Sequence, residues 1–172
     1  MTNTTEAKQV INEKNDLIHD QQPTVKKILV AIDKSGYKDK ITVYAVMLAK
    51  VLGADVTAIH VLDKSSLGFV GGLLSYYRGG KIEVYVDALK KQAEELLAEA
   101  EVLGKKEGVR MNVEVLMHSP SIAEGIIDYA KRNDMDLIVV GTKGLTGVEK
   151  FLIGSVASNV IAHAHCPVMA IR

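Results

Sequence analysis

The sequence predicts an α/β fold: an open, mainly parallel five-stranded sheet with helices on both faces, of the Rossmann-like kind. Five apolar runs of strand length alternate with segments whose apolar residues recur at helical spacing. The runs are continuous, which is typical of parallel strands buried on both faces. With 172 residues, the chain is long enough for one such domain and short for two.

Each element follows from its own pattern. The apolar runs predict strands over residues 27–33, 55–62, 112–117, 135–140 and 167–171. Helical spacing predicts helices over 41–52, 81–106, about 121–133 and 155–164. Gly53 is the expected C-cap of the first helix. For the third helix, Ser119 and Pro120 fit an N-cap and N1 pair, and Ser121 with Glu124 fits a capping box.

Two segments stand apart from this alternation. Residues 1–24 form a polar N-terminal tail, expected to be disordered or loosely helical because it has few apolar residues to offset the entropy of ordering. Residues 64–80 form a glycine-rich insertion, and the pattern leaves open a lid, an interface arm or a disordered connection. We expect residues 25–172 to be one domain that carries this flexible insertion.

Composition excludes several classes of function. The formal net charge is +0 and there is no tryptophan, so neither a basic field nor a set of stacking aromatics favours nucleic acid or an acidic membrane. A single cysteine, Cys166, excludes an intrachain disulfide and suits a reducing compartment. No apolar run has the length of a bilayer span, and the N-terminus lacks the order of a signal peptide. We therefore expect a cytoplasmic protein.

The candidate site centres on the segment from Gly141 to Ser155, which lies between a predicted strand and a predicted helix. Glycines let backbone N–H groups approach an anion, and a helix N-terminus favours negative charge. Ser155 is a good N-cap residue at that helix start. Lys143 and Lys150 add positive charge, although each is as well explained by a solvated loop position. The segment predicts a phosphate-binding loop, with a tight turn as the alternative.

A carboxylate is expected to complete this site. In open α/β sheets, ligands bind beyond the carboxyl ends of the strands, where the strand order reverses. The first predicted strand ends at Asp33 and the fourth leads into Gly141. If these strands are neighbours, Asp33 can accept hydrogen bonds from ribose hydroxyls or an adenine amine beside the phosphate loop. The alternative for Asp33 is a helix N-cap or a solvated acid.

Four segments carry a family resemblance. KKILVAID, AIHVLD, DLIVVGTKG and LIGSVASNVIAHAHCPVMAIR resemble the universal stress protein family, over about residues 26–172. The spacing Gly141-x2-Gly144-x9-Gly154-Ser155 resembles the signature of its ATP-binding branch. The resemblance implies the strand order 3-2-1-4-5, which makes the first and fourth strands neighbours.

The resemblance also implies roles for individual residues. Ala31 and Asp33 would line the adenosine end, and the backbone of Val61 would hydrogen-bond adenine. The remaining cofactor-binding residues, which would hold ribose and phosphates, are Gly141, Lys143, Gly144, Gly154, Ser155 and the Val156 N–H. The ligand would be ATP, or ADP or AMP, with Mg²⁺ or Mn²⁺ bound through the phosphates.

Other polar residues have structural interpretations. His60 is expected to be a core or edge histidine of its strand. His163, His165 and Cys166 are close in sequence, but they span a helix-to-strand turn without a partner cluster, so we expect no protein metal site there. No catalytic residue is assigned.

These observations lead to one leading functional hypothesis, a stress-response regulatory protein that binds an adenine nucleotide and acts as a ligand-dependent dimeric switch. The alternatives are a slow ATPase or nucleotidyl-transfer enzyme, since ATP-holding sites can hydrolyse slowly, and a nucleotide-free dimeric interaction module. The last strand, 168–171, is expected at the sheet edge and therefore to form an isologous homodimer. The protein partner of the switch is unknown from sequence.

Overall fold

The computed structural model describes residues 24–63, 82–142 and 153–172. Strands and helices alternate through these ranges, as the sequence predicts. In chain order they are β1 (Lys27–Ala31), α1 (Lys38–Leu52), β2 (Asp55–Asp63), α2 (Ile82–Glu107), β3 (Met111–Ser119), α3 (Ile122–Arg132), β4 (Leu137–Gly141), α4 (Ser155–His163) and β5 (Val168–Ile171).

The strands form one parallel sheet in the order β3-β2-β1-β4-β5, which confirms the expected topology. β1 is the central strand and pairs with both β2 and β4. Val30 of β1 lies opposite Ala58 on one side and Val139 on the other. The order of the chain reverses at β1, so the crevice between the ends of β1 and β4 is the switch point of the sheet.

Alternation along each strand divides the interior into two cores. Val30, Val56 and Val139 face α1 and α2. Leu29, Ile59 and Ile138 face α3 and α4. Both faces of each parallel strand are buried, so apolar residues occupy both the odd and the even positions of the strand. The apolar runs in the sequence are continuous for this reason.

A carboxylate fixes the amino-terminal edge of the sheet. Asp136 Oδ2 accepts hydrogen bonds from the backbone N–H of Lys26 at 2.7 Å and of Lys27 at 2.9 Å. The N–H of Asp136 in turn donates to the Lys27 carbonyl at 2.9 Å. This reciprocal arrangement ties the start of β1 to the start of β4.

The observed helix caps can be compared with the caps predicted from the sequence. Gly53 is the C-cap of α1 with φ of 62°, a left-handed conformation that glycine adopts without strain. The N-cap of α3 is Ser121, whose Oγ accepts from the Glu124 N–H at 3.2 Å. The predicted Ser119 N-cap is wrong, because Ser119 is still paired with Asp63 as the last residue of β3.

The N-cap of α4 also differs from the prediction. It is Gly154, and Ser155 is the first helical residue.

Several expectations lie outside the described residues: the tail before Thr24, the insertion 64–80, and the positions Lys143, Gly144 and Lys150. Within the described ranges, no helix combines the length and apolarity needed to cross a bilayer.

Candidate functional site

The site is built on the ends of β1 and β4. β1 ends at Ala31, two residues earlier than predicted, so Asp33 lies just beyond the strand. Ile32 joins the core beneath α1 and α2, while Ala31 packs against the core beneath α3 and α4. Alternation therefore continues through Ile32, and Asp33 follows directly at the carboxyl end of the strand.

The carboxylate of Asp33 also shapes the turn that follows it. Its Oδ1 accepts from the Ser35 N–H at 3.0 Å, and the Ser35 carbonyl accepts from the Lys38 N–H at 3.2 Å at the start of α1. This local bond is an Asx turn, which orients the carboxylate at the strand end. Asp33 is half-buried, so it has a structural role and is also accessible at the edge where ligands bind.

The carboxyl end of β2 lies next to β1 and forms a second side of the candidate site. Val61 is buried, and its side chain lies under α3. The neighbouring His60 contacts the Ile32 carbonyl through Nδ1 at 2.7 Å. A carbonyl only accepts, so Nδ1 carries the proton and donates. His60 joins β2 to the segment after β1, in agreement with its structural interpretation.

A hydrogen bond joins the two ends of the connection between β4 and α4. The Gly154 N–H donates to the Thr142 carbonyl at 2.8 Å, and the Thr142 N–H donates to the Ile171 carbonyl of β5 at 2.8 Å. A Cβ on Gly154 would lie 3.2 Å from the Thr142 oxygen, so this position favours glycine for close approach and not for its backbone angles. The N-terminus of α4 is thereby held beside the end of β4.

A cleft of about 590 Å³ opens between α3 and α4 at this edge of the sheet. Its walls are the first turns of both helices, the exposed side of α4 and the last residue of β2. The lining residues are Asp63, Ser121, Ile122, Ala123, Glu124, Ile127, Asp128, Ser155, Val156, Asn159 and His163. The cleft therefore adjoins two of the predicted site residues, Ser155 and Val156.

The charge of the cleft indicates what it can bind. Asp63, Glu124 and Asp128 contribute carboxyl groups, and no lysine or arginine is among the described residues that line it. Carboxylates repel phosphate and accept hydrogen bonds from hydroxyl and amino groups. The cleft thus suits a group rich in hydroxyl or amino donors, and the N-terminus of α4 at its rim suits an anion.

Two buried hydroxyls lie at this edge of the sheet. Ser35 Oγ and Thr142 Oγ1 are inaccessible to solvent and have no hydrogen-bond partner among the described residues. One follows β1 and the other follows β4, the two strands that border the crevice. Buried polar groups are normally satisfied, so these two hydroxyls are exceptions, and both lie next to strand ends.

The structure thus brings most of the predicted residues to one edge. Ala31, Asp33 and Val61 lie at the ends of β1 and β2. Gly141 ends β4, and Gly154, Ser155 and Val156 begin α4. Lys143 and Gly144 lie outside the described residues.

Sequence reasoning missed part of the cleft. Asp63 is the last residue of β2, and Asp33 likewise follows β1. The sequence shows this similarity, because each apolar run ends in an aspartate, in AID (31–33) and in VLD (61–63). Asn159 and His163 follow Ser155 at intervals of four, which places all three on one face of α4. Glu124 was interpreted only as part of a capping box. Asp128 joins the cleft because it follows Glu124 by four residues on α3.

The histidines and the cysteine next to β5 do not form a metal centre. His163 Nδ1 contacts the Asn159 carbonyl at 2.9 Å, one turn earlier in α4. Within residues 24–63, 82–142 and 153–172, no group of three or more His, Cys, Asp or Glu side chains is arranged to hold a metal ion. Burial raises the pKa of the Cys166 thiol, with a smaller contribution from Asp136, so the thiolate is disfavoured.

Comparison with known proteins gives a consistent result. Residues 24–172 match the family model described as the universal stress protein family. Universal stress protein MJ0531 of Methanocaldococcus jannaschii is 35% identical over 158 residues, covering 92% of this chain and 88% of that protein.

Two solved structures extend the comparison. Universal stress protein UspA from Lactobacillus plantarum superposes with a TM-score of 0.72 at 26% identity, over 88% of this chain and 100% of that one. A universal stress protein from Archaeoglobus fulgidus, solved in complex with dAMP, has a TM-score of 0.61 at 26% identity, over 87% of this chain and 99% of that one.

Proposed function

This chain belongs to the universal stress protein family, and we propose that it binds an adenine nucleotide, ATP or its products ADP and AMP, across the ends of β1 and β4. Binding would make it a regulatory switch of a stress response. Residues 25–172 would act as one nucleotide-binding domain. The relative from Archaeoglobus fulgidus that was solved with dAMP supports an adenine nucleotide as the ligand class.

One observation carries the proposal. The half-buried Asp33 carboxylate follows β1, and the N-terminus of α4 is held to the end of β4, so a carboxylate and a helix N-terminus lie at the two strand ends that border the switch point. This is the place where open α/β sheets bind ligands. A nucleotide has many hydrogen-bonding groups and would bind the accessible groups here, which are the Asp33 carboxylate and the N-terminus of α4.

The distribution of charge supports one orientation of the ligand. The nucleoside would lie toward Asp33, the Val61 backbone and the acidic cleft, where carboxylates accept from ribose hydroxyls and the adenine amine. The phosphates would lie toward Gly154, Ser155 and the Val156 N–H, where the positive end of the α4 dipole favours them. Lys143 and the other loop residues would add to the phosphate end.

A divalent cation, Mg²⁺ or Mn²⁺, fits this arrangement only through the phosphates. The described residues offer no metal-binding cluster, and Mg²⁺ commonly uses substrate phosphates together with water as its ligands. The cation would neutralise phosphate charge. The protein's own residues would hold the nucleoside and the phosphate oxygens.

The experiment is a titration of the full chain with a fluorescent ATP analogue, with ADP and AMP as competitors. Asp33→Asn keeps an oxygen to accept from the Ser35 N–H but removes the charge. Loss of a charge-assisted hydrogen bond of about 1.5–3 kcal/mol predicts roughly 10- to 150-fold weaker binding. The matched control is Asp55→Asn, at the opposite edge of the sheet, where Asp55 pairs with Arg110 at 3.0 Å. Equal affinity of the Asp33→Asn variant and the control would overturn the assignment, as would a wild-type chain that binds none of the three nucleotides.

We also propose that the switch is an isologous homodimer formed through β5. β5 is an edge strand of four residues, and Val168, Met169 and Ala170 are each only half-buried. An edge strand carries N–H and C=O groups that can pair with a second copy. Sedimentation velocity at micromolar concentration tests this, and a monomer would contradict it.

A further inference from the structure

The hydrogen-bond ladder between β1 and β2 ends at Ile32. The register of the two strands continues for one residue past the end of β1, because the Ile32 N–H donates to the Ile59 carbonyl at 2.9 Å. In a regular parallel pair, the carbonyl of the same residue then accepts from an N–H further along the neighbouring strand. The start of β1 follows this rule, since the Lys26 carbonyl accepts from the Asp55 N–H at 2.8 Å. By the same rule, the Ile32 carbonyl would accept from the Val61 N–H.

A side chain takes the place of that bond. The Nδ1–H of His60 donates to the Ile32 carbonyl at 2.7 Å, and the part of the chain that the structure describes contains no bond from the Val61 N–H to this carbonyl. His60 and Ile32 are both buried, and a hydrogen bond away from bulk water is electrostatically stronger than one in water. The imidazole therefore holds the last carbonyl before Asp33, at the point where β1 leaves the sheet.

This bond restrains the backbone of Asp33. The Ile32 carbonyl and the Asp33 Cα lie in one peptide plane, so a contact that fixes the carbonyl also fixes the Cα. On the other side, Asp33 Oδ1 accepts from the Ser35 N–H at 3.0 Å. The backbone that leads into Asp33 and the carboxylate at the end of its side chain are thus each held by one hydrogen bond.

His60 has this effect without lying in the cleft. It is absent from the residues that line the cleft. Alternation with Val56 and Ala58 places its side chain on the face of β2 that α1 and α2 cover. A binding group must keep its position to within a fraction of an ångström, and buried neighbours commonly provide that restraint.

From these contacts we infer that His60 is a positioning residue for Asp33. Its imidazole holds the Ile32 carbonyl, and the Asp33 carboxylate thereby keeps the orientation in which it would bind the nucleoside. The inference rests on the proposed function for the role of Asp33. It adds that nucleotide affinity depends on a buried donor on the other face of the sheet.

Nucleotide affinity distinguishes the donor from the packing of the ring. His60→Phe keeps a ring and removes the donor, whereas His60→Asn is smaller but carries an N–H donor on Cγ, as Nδ1 is in histidine. In a titration of the full chain with a fluorescent ATP analogue, we expect roughly tenfold weaker binding by His60→Phe and binding within about twofold of wild type by His60→Asn. His165→Phe, at an exposed position, is the control and should bind as wild type does. Wild-type affinity of His60→Phe, or an equal loss in both His60 variants, overturns the inference.

A double-variant cycle tests whether His60 acts through Asp33. His60→Phe is combined with Asp33→Asn, in which the charge to be positioned is already absent. We expect the combined loss of affinity to be smaller than the product of the two single losses. Losses that multiply would show that the two residues act independently, which contradicts the inference.

Hydrogen exchange gives a measurement that needs no nucleotide. The Ser35 N–H is bonded to Asp33 and therefore reports whether the carboxylate keeps its position. We expect this amide to exchange roughly tenfold faster in His60→Phe than in wild type and at the wild-type rate in His60→Asn. The Gly154 N–H, bonded to Thr142 at the end of β4, is the internal control and should not change. Unchanged exchange at Ser35 in His60→Phe overturns the inference, whereas a wild-type chain that binds no nucleotide overturns only the proposed ligand.

Discussion

Gly154 and Thr142 are joined by a 2.8 Å hydrogen bond that closes the connection between β4 and α4, and a Cβ on Gly154 would lie 3.2 Å from the accepting oxygen. The bond fixes the start of α4 against the end of β4. Both the helix dipole and the Ser155 hydroxyl are thereby placed at the edge of the crevice.

We expect Gly154→Ala to lower the free energy of unfolding by about 1 kcal/mol, since the added methyl group displaces the half-buried hydrogen bond to Thr142 by a few tenths of an ångström. Urea denaturation measures this. Gly36→Ala is the control, because a Cβ at Gly36 meets nothing within 4 Å. Equal stability of the two variants would show that a methyl group at position 154 does not disturb the hydrogen bond to Thr142.

A second glycine, Gly125, packs closely against Val61. A Cβ on Gly125 in α3 would lie 2.7 Å from Ser119 Oγ and 2.9 Å from Val61 Cγ1. Replacing a helical glycine with alanine usually stabilises by up to about 1 kcal/mol. Here overpacking of about 1–3 kcal/mol opposes that gain, and we expect Gly125→Ala to be destabilising.

The same position offers a double-variant test. In Gly125→Ala combined with Val61→Ala, the second change removes the contact with Val61 Cγ1 and leaves the contact with Ser119 Oγ. Thermal unfolding of the four proteins of this cycle should show a stabilising interaction between the two substitutions. A single Gly125→Ala variant more stable than wild type would disprove the steric argument.

His60 provides a third prediction. Its Nδ1–H donates to the Ile32 carbonyl at 2.7 Å, and His60 and Ile32 are both buried. His60→Phe keeps the ring but leaves that carbonyl without its side-chain donor, which we expect to cost about 1–3 kcal/mol. The exposed His165 serves as the control through His165→Phe. Chemical denaturation should separate the two variants, and coincident curves would mean that the bond contributes nothing.

Tyr129 makes stability depend on alkaline pH. Burial, together with a hydrogen bond from its hydroxyl to Glu114 at 2.8 Å, raises the pKa of Tyr129 to about 12. An unfolded tyrosine has a pKa near 10. The folded protein thus keeps a proton that the unfolded chain loses, so this contribution is complete below about pH 10 and is lost as the pH rises toward 12.

The comparison of wild type with Tyr129→Phe isolates this effect from the other groups that titrate in the same range. Between about pH 10 and 12, the melting temperature of wild type should fall more steeply. Parallel slopes would show that the Tyr129 hydroxyl titrates normally in the folded protein.

Local patterns predicted the elements of the fold well, because each strand and helix has a continuous signal in its own residues. They failed where a distant contact chooses between two local options. Ser119 and Ser121 both resemble N-caps, and pairing of Ser119 with Asp63 in the sheet decides in favour of Ser121. Gly154 is the N-cap of α4 where Ser155 was predicted, and its amide is bound to Thr142 across the loop.

The candidate site shows the same limit. Asp33 and Gly141 could be placed together once the strand order was expected, because both follow strand ends. Glu124 and Asn159 could not, since their part in the cleft depends on how α3 and α4 face each other. A sequence pattern describes one helix at a time and does not specify that geometry.

The hydrogen bonds of Asp136 fix the register of β1 against β4, and this also determines how the carboxyl ends of the two strands are aligned. Sliding β1 by two residues against β4 would keep every side chain on its own face, so hydrophobic patterning alone tolerates such a slip. Asp136 accepts from both Lys26 and Lys27 in a single alignment only, and thereby removes that freedom. The alignment of the carboxyl ends of β1 and β4, where a nucleotide would bind, is thus fixed by a carboxylate five residues earlier in the chain, about 16 Å away along the strand.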